Sequence, residues 1–298
     1  MSNVARDKAV KHYVSTRPDL ERQLEFFTSL WDAQDEIAEG AAPYEPSGQE
    51  DGETALGQGR TLFSLSAPEI PLEPYREAVR RIAALMAERA GLPEPQTTAL
   101  EEVDLGAAVS PGALEAMLSG VDVFVTEVAK AADDERLTEA LLTFILTGAA
   151  TPFLRAPAKT AVASVGKFDW LQWNSGVCPA CGTPASSASI NDEGELHGGR
   201  RWLSCPTCRT LWEYPRIRCA RCGTRTQTDL EYLFDDEDPG HRLHLCKNCH
   251  GYLPVAVEKE LKILVVPEVE EVVMVPLETV AADRGYSPLG DETGEMPN

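Results

Sequence analysis

All eight cysteines of this 298-residue chain fall in four Cys-x-x-Cys pairs: Cys178/Cys181, Cys205/Cys208, Cys219/Cys222 and Cys246/Cys249. Twenty-three residues separate the first pair from the second, and twenty-three separate the third from the fourth, whereas only ten lie between the second and the third. The first and third pairs run straight into Gly-Thr (Gly182-Thr183 and Gly223-Thr224), and the other two do not. That A-B-A-B order describes a duplicated module in which knuckles at both ends of a hairpin bring four sulfurs together. The expected groups are therefore Cys178, Cys181, Cys205 and Cys208, then Cys219, Cys222, Cys246 and Cys249. A glycine after the second cysteine permits the positive φ that turns backbone N–H groups toward thiolates.

Three chemistries use such pairs. Structural disulfides belong to oxidising compartments and small cores, and this chain is long enough to bury a core of its own. Its first twenty residues, MSNVARDKAVKHYVSTRPDL, show neither an apolar stretch nor a cleavage site, so a cytoplasmic address is expected. A thioredoxin-like motif needs one pair at a helix start inside a βαβ unit, which nothing here resembles. Two tetrahedral four-thiolate metal sites fit the spacing, with zinc and a rubredoxin-type iron both acceptable to the shell. A filled four-sulfur shell leaves no open position for substrate, so no catalytic residue is assigned, and the metals at least fold two hairpins too small to fold alone. The histidines at 12, 197, 241, 244 and 250 are not needed as ligands.

The rest of the chain reads as α+β: an all-helical domain over 1–165, a first four-cysteine module over 166–213, a second over 214–257 and an acidic segment over 258–298. In the first half, apolar residues recur at helical spacing: Leu20, Leu24, Phe27 and Trp31; Tyr75, Val79, Ile82 and Met86; Leu114, Met117, Leu118, Val121, Val125 and Val128. The last stripe opens with Ser110 as a helix cap before Pro111. The segment DERLTEALLTFILTGAA is apolar on most sides and reads as the buried central helix. The Gly-, Pro- and acid-rich stretch over 40–60 reads as a long loop. In the second module, Leu230, Tyr232 and Phe234 alternate with polar residues before the turn DDEDPG, and Leu243 and Leu245 alternate on the return. PASSASI and RRWLSC form the corresponding hairpin of the first.

Charge excludes some functions. The chain carries 27 Lys and Arg against 48 Asp and Glu, a net charge of −21. Such a surface repels nucleic acid, whose non-specific affinity comes from phosphate neutralisation. No run of about 18 uninterrupted apolar residues argues for membrane insertion. One basic concentration stands out: Arg200, Arg201, Arg209, Arg216, Arg218, Arg221 and Arg225, with Glu213 the lone acid among them. It reads as an arginine rim left for a partner, centred on Arg216 and Arg218 in the linker between modules. With Trp202, Trp212 and Tyr214 nearby, the patch also allows a nucleic-acid-binding zinc ribbon, and iron in both sites would allow a small electron carrier.

The stretches WNSGVCPACGTPASSASI, GGRRWLSCPTCRTLWEYPRIRCARCGT, LEYL and HLCKNCHGYL resemble the formate dehydrogenase accessory protein family, FdhE. The resemblance covers about 85 residues, and all eight motif cysteines are present. The closing segment VEEVVMVPLETVAADRGYSPL is also similar to that family, with Val and Pro where acidic residues are usual. The resemblance implies a cytoplasmic maturation factor rather than an enzyme. It implies rubredoxin-like iron at the Cys-x-x-Cys pairs. It further implies a contact with the molybdenum- or tungsten-containing catalytic subunit of respiratory formate dehydrogenase, made before that subunit is exported by the twin-arginine route.

Overall fold

The computed structural model of the chain describes residues 3–39, 44–45, 51–117, 121–166, 168–191 and 199–291. Helices α1 (Asn3–Thr16), α2 (Glu21–Glu39), α3 (Gly52–Gly57), α4 (Leu62–Leu65), α5 (Leu72–Arg89), α6 (Glu94–Glu102) and α7 (Leu105–Ala108) come first. They are followed by α8 (Pro111–Met117), α9 (Val121–Ala132), α10 (Glu139–Ser164) and α11 (Trp170–Trp173). Six strands come next: β1 (Ser187–Asn191), β2 (Arg200–Ser204), β3 (Leu211–Glu213), β4 (Leu230–Asp235), β5 (Asp238–Cys246) and β6 (Tyr252–Val257). Three short helices close the chain, α12 (Glu258–Leu261), α13 (Pro267–Val273) and α14 (Val275–Asp283). This is the expected class, a helical region followed by a sheet region carrying two four-cysteine groups.

Contacts group the chain differently from the four sequence segments. One unit comprises Glu25–Pro46 and Ser66–Thr160; the other comprises Met1–Leu24, Ser47–Leu65 and Ala161–Asn298. In the first, Tyr75, Val79, Ile82, Val125, Val128, Leu142, Ile145 and Leu146 are buried, as their periodicity predicts. The Tyr75 hydroxyl donates to the Leu146 carbonyl at 2.8 Å, and its ring meets Phe153 edge-on at 6.2 Å. Ser110 caps α8 by accepting from the Ala113 N–H at 3.0 Å. The segment read as one helix after Ser110 divides into α8 and α9; Leu118 lies outside the described residues, and Val121 is exposed. The central helix α10 is 26 residues long and continues through Pro152 and Pro157. It alone among the described residues is long and apolar enough to cross a membrane, and 61% of that apolar window is buried, which is the pattern of a core helix.

In the second unit the six strands form one sheet in the order β3-β2-β1-β6-β5-β4. Each module contributes a three-stranded antiparallel meander, and β1 runs parallel to β6, with Ala188 opposite Val255 and Ile190 opposite Val257. The two modules thus share one ladder. Pro254, which has no N–H to give, faces Leu243 of β5 one residue before the β1 ladder begins.

Two local readings are corrected. On β4 the inward residue is Leu233, and Tyr232 and Phe234 are exposed. Leu233 pairs with Leu243 of β5, so the period-two face is set by the buried strand rather than by aromatic content. The stretch over 40–60 contains a helix, α3, capped by Asp51, whose carboxylate accepts from the Thr54 N–H. The acidic end of the chain packs as α13 and α14 against the sheet, with Ala281 joining Leu233, Leu243, Leu245 and Tyr252 in one apolar cluster.

Candidate metal centre

The eight cysteines converge as the repeat predicts, into Cys178, Cys181, Cys205 and Cys208, and Cys219, Cys222, Cys246 and Cys249. In each group the four Sγ atoms lie within 4.8 Å of one another. In the first, Cys178 and Cys208 are 3.4 Å apart and Cys181 and Cys205 3.5 Å. In the second, the corresponding separations are 3.8 and 3.7 Å. A disulfide needs about 2.05 Å. A tetrahedron of metal–sulfur bonds near 2.3 Å puts its sulfurs about 3.8 Å apart, which both groups approach. The donor set and its spacing therefore fit a four-thiolate metal ion at each group. Burial pushes the Cys178 and Cys205 thiols up, while hydrogen bonds from neighbouring cysteines push Cys181 and Cys219 down. Such crowded sulfurs ionise together only around a cation.

The knuckles are built alike. In the opening pairs, the Cys178 N–H donates to Thr183 O at 2.8 Å and the Cys219 N–H to Thr224 O at 2.9 Å. Gly182 and Gly223 have φ of +84° and +74°, as their position predicts. The closing pairs use the same left-handed residue after the second cysteine, filled by Arg209 (φ +60°) and His250 (φ +50°). Sequence reasoning missed those two because neither is a glycine. The Thr183 hydroxyl lies 3.3 Å from Cys181 Sγ and the Thr210 hydroxyl 3.2 Å from Cys208 Sγ. In the second group the Arg221 N–H donates to Cys219 Sγ at 3.3 Å and Asn248 Nδ2 to Cys222 Sγ at 3.4 Å.

Segments distant in sequence brace both groups. At the start of α4, the Leu62 and Phe63 N–H groups donate to Pro179 O and Ala180 O, each at 2.9 Å, holding the first knuckle. Near the end of the chain the Asp291 N–H donates to Cys249 O at 2.7 Å, and its carboxylate meets His250 Nδ1 at 2.7 Å. His250 is thus a neighbour of the second group and not one of its donors.

The family model described as FdhE, central domain, matches residues 177–216, which hold the whole first group. A protein FdhE homolog of Aquifex aeolicus (strain VF5) is 26% identical over 234 residues, covering 78% of this chain and 74% of that protein. Another, of Stutzerimonas stutzeri (strain A1501), is 33% identical over 116 residues, 37% of this chain and 35% of that protein. The crystal structure of the FdhE protein from Pseudomonas aeruginosa shares the fold, with a TM-score of 0.60, covering 97% of this chain and 95% of that one at 20% identity. In sequence and in fold the chain resembles the FdhE proteins.

In this FdhE-like chain the seven arginines do not form one solvated rim. Arg201 is buried and donates to Pro215 O, Arg218 O and, at 3.3 Å, His244 Nδ1. Burial pulls its guanidinium down to about 10. Burial and the neighbouring arginines push His244 well below the usual range, leaving it neutral and able to accept. Arg218 is buried, reaching Asn174 Oδ1 and, at 3.1 Å, Gly223 O. Arg221 donates to Tyr252 O at 3.2 Å and Ala185 O at 2.7 Å. Arg200 pairs with Glu213 at 3.3 Å and Arg209 with Glu271 at 3.5 Å. Arg216 and Arg225 are exposed. Arginines with carbonyl acceptors tie loops together, and here buried Arg201 and Arg218 and half-buried Arg221 tie the second group to its surroundings.

Proposed function

We propose that this chain is a non-catalytic accessory protein, needed to form active formate dehydrogenase. In this reading it acts in the cytoplasm, binds the catalytic subunit before twin-arginine export, and carries iron at both four-cysteine groups. The observation that carries the reading is the pair of closed four-thiolate groups within an FdhE fold. With every metal position taken by a cysteine, the sites suit folding, display or electron transfer rather than substrate turnover. The arginines that remain exposed, Arg216 and Arg225, belong to the surface offered to the client.

The test is capture of the formate dehydrogenase catalytic subunit by the tagged full-length chain, with metal content measured on the same sample. Capture with two metal equivalents supports the reading; metal-loaded protein that leaves the subunit behind overturns it. Red ferric absorption distinguishes iron from colourless zinc. The nucleic-acid alternative is weakened by the net charge of −21 and by the burial of Arg201 and Arg218, since phosphate contacts need exposed cations.

A further inference from the structure

A small cleft of about 20 Å³, partly open to solvent, lies beside the second four-cysteine group. Arg201, Arg216, Arg218, Arg221, Tyr232 and His244 contribute to its walls, together with Cys219 and Cys246 of the group itself. Four arginines thus converge on a space whose one carboxylate, Glu231, is engaged with Lys247 at 2.5 Å. Among the described residues Arg201, Arg218 and Arg221 have no carboxylate within ion-pair distance, although Glu278 acts on Arg221 from farther off. Arg201 is 2% exposed and its Nε–H has no hydrogen-bond partner. A loaded four-thiolate site carries −2 with a divalent metal and −1 with ferric iron, against the guanidinium groups of buried Arg201 and Arg218 and half-buried Arg221. Guanidinium groups held by carbonyl oxygens keep their positive charge, which an anion entering the cleft would offset.

The surroundings say what kind of anion. Leu230, Tyr232 and Leu253 line the cleft beside the arginines, and Tyr232 is exposed. Apolar and aromatic surface around a cationic floor suits an acid held within a polypeptide better than a hydrated inorganic ion. Arginine forks match carboxylate geometry and dehydrate readily.

We propose that this cleft binds a carboxylate, presented by an acidic side chain of a protein partner. The inference deepens the accessory reading and rests on it only for the partner's identity. The cleft's chemistry stands independently.

The test is calorimetric titration of the metal-loaded full-length chain at constant ionic strength. The probes are sodium acetate, a blocked peptide with one Glu between apolar residues, and the same peptide with Gln. The Glu peptide is expected to bind about tenfold or more tightly than the Gln peptide, ~1.4 kcal/mol, with acetate competing. Arg216→Gln should weaken the Glu peptide several-fold and leave both metal equivalents in place. The proposal is overturned if the two peptides bind alike, if nothing binds saturably, or if Arg216→Gln binds the Glu peptide normally. Binding of acetate without the peptide overturns the protein partner as the source. Capture of the catalytic subunit is scored separately. An Arg216→Gln chain that captures it normally removes the cleft from docking and leaves the accessory reading standing, whereas a wild-type chain that binds the Glu peptide but not the subunit does the reverse.

Discussion

The imidazole Nε2 of His241 lies 2.9 Å from Oε2 of Glu270, a residue that is 1% exposed. The same oxygen accepts from the Tyr13 hydroxyl at 2.6 Å, and His241 Nδ1 meets Asp238 at 2.7 Å, with Arg17 3.8 Å from Asp238. One buried carboxylate therefore joins α1, β5 and α13. Burial alone would lower the His241 pKa, but hydrogen bonds to Asp238 and Glu270 outweigh it and push it up to about 9. A folded-state pKa above the unfolded value contributes stability that is complete below about 6.5 and is lost as pH rises through about 9. The expected loss over that window is on the order of 2 kcal/mol, discounted because Asp238 is partly exposed. Urea unfolding at a series of pH values checks it, and His241→Gln should flatten the profile.

Tyr13→Phe leaves Glu270 with one hydrogen bond fewer, while Glu270 Oε1 has no partner already. A cost of about 1.5–3 kcal/mol is expected for a hydrogen bond to a buried charged group. Its measurement is chemical denaturation at pH 6, and the metal content should not change.

Cys205→Ser is expected to release one metal equivalent and leave the other bound, because the two groups share no ligand. Metal analysis of the purified variant decides this; loss of both equivalents from a folded chain would contradict the separation of the sites.

Two glycines separate strain from collision. A Cβ on Gly182 would touch nothing closer than 3.5 Å, but the φ of +84° disfavours any side chain. Gly182→Ala should cost about 1 kcal/mol and loosen the first group selectively. A Cβ on Gly176 would lie 1.7 Å from Ala220 O, in the opening knuckle of the second group. Gly176→Ala should therefore drive the two knuckles apart, with a loss of several kcal/mol seen as a lowered Tm.

Chelation should strip structure from the sheet, whose knuckles owe their folding to the metal, while most helical circular dichroism survives. The surviving signal is expected from Ser66–Thr160, which holds no cysteine. Residues 1–24, read with the helical domain in sequence, belong to the cysteine-bearing unit, so α1 should melt with it.

The cysteine groups were legible because ligand spacing is local and chemical: equal gaps of 23 residues and a glycine after each opening pair leave little freedom. Helix stripes such as Tyr75, Val79, Ile82 and Met86 were legible because burial follows a period the sequence carries directly. Which of the seven arginines stay exposed was not legible for the opposite reason. Whether Arg201 and Arg218 meet solvent or carbonyl oxygens depends on loops that close only in three dimensions. Arg209 and His250 hid the second half of the knuckle pattern, since a non-glycine residue can adopt a left-handed φ where hydrogen bonds enforce it. The support from Leu62, Phe63 and Asp291 had no sequence signal, because backbone groups donate whatever the side chain.

The pairing of β1 with β6 sets a schedule for synthesis. As the chain leaves the ribosome, the first four cysteines and the meander around them are complete by Glu213, yet Ala188 must wait for Val255. Throughout that interval the nascent protein carries a bare strand edge beside a site already able to take up metal, the kind of edge that mispairs. Metal supply during translation thus bears on yield as well as on the finished fold, and a chain stopped anywhere before Val257 would keep that edge open permanently.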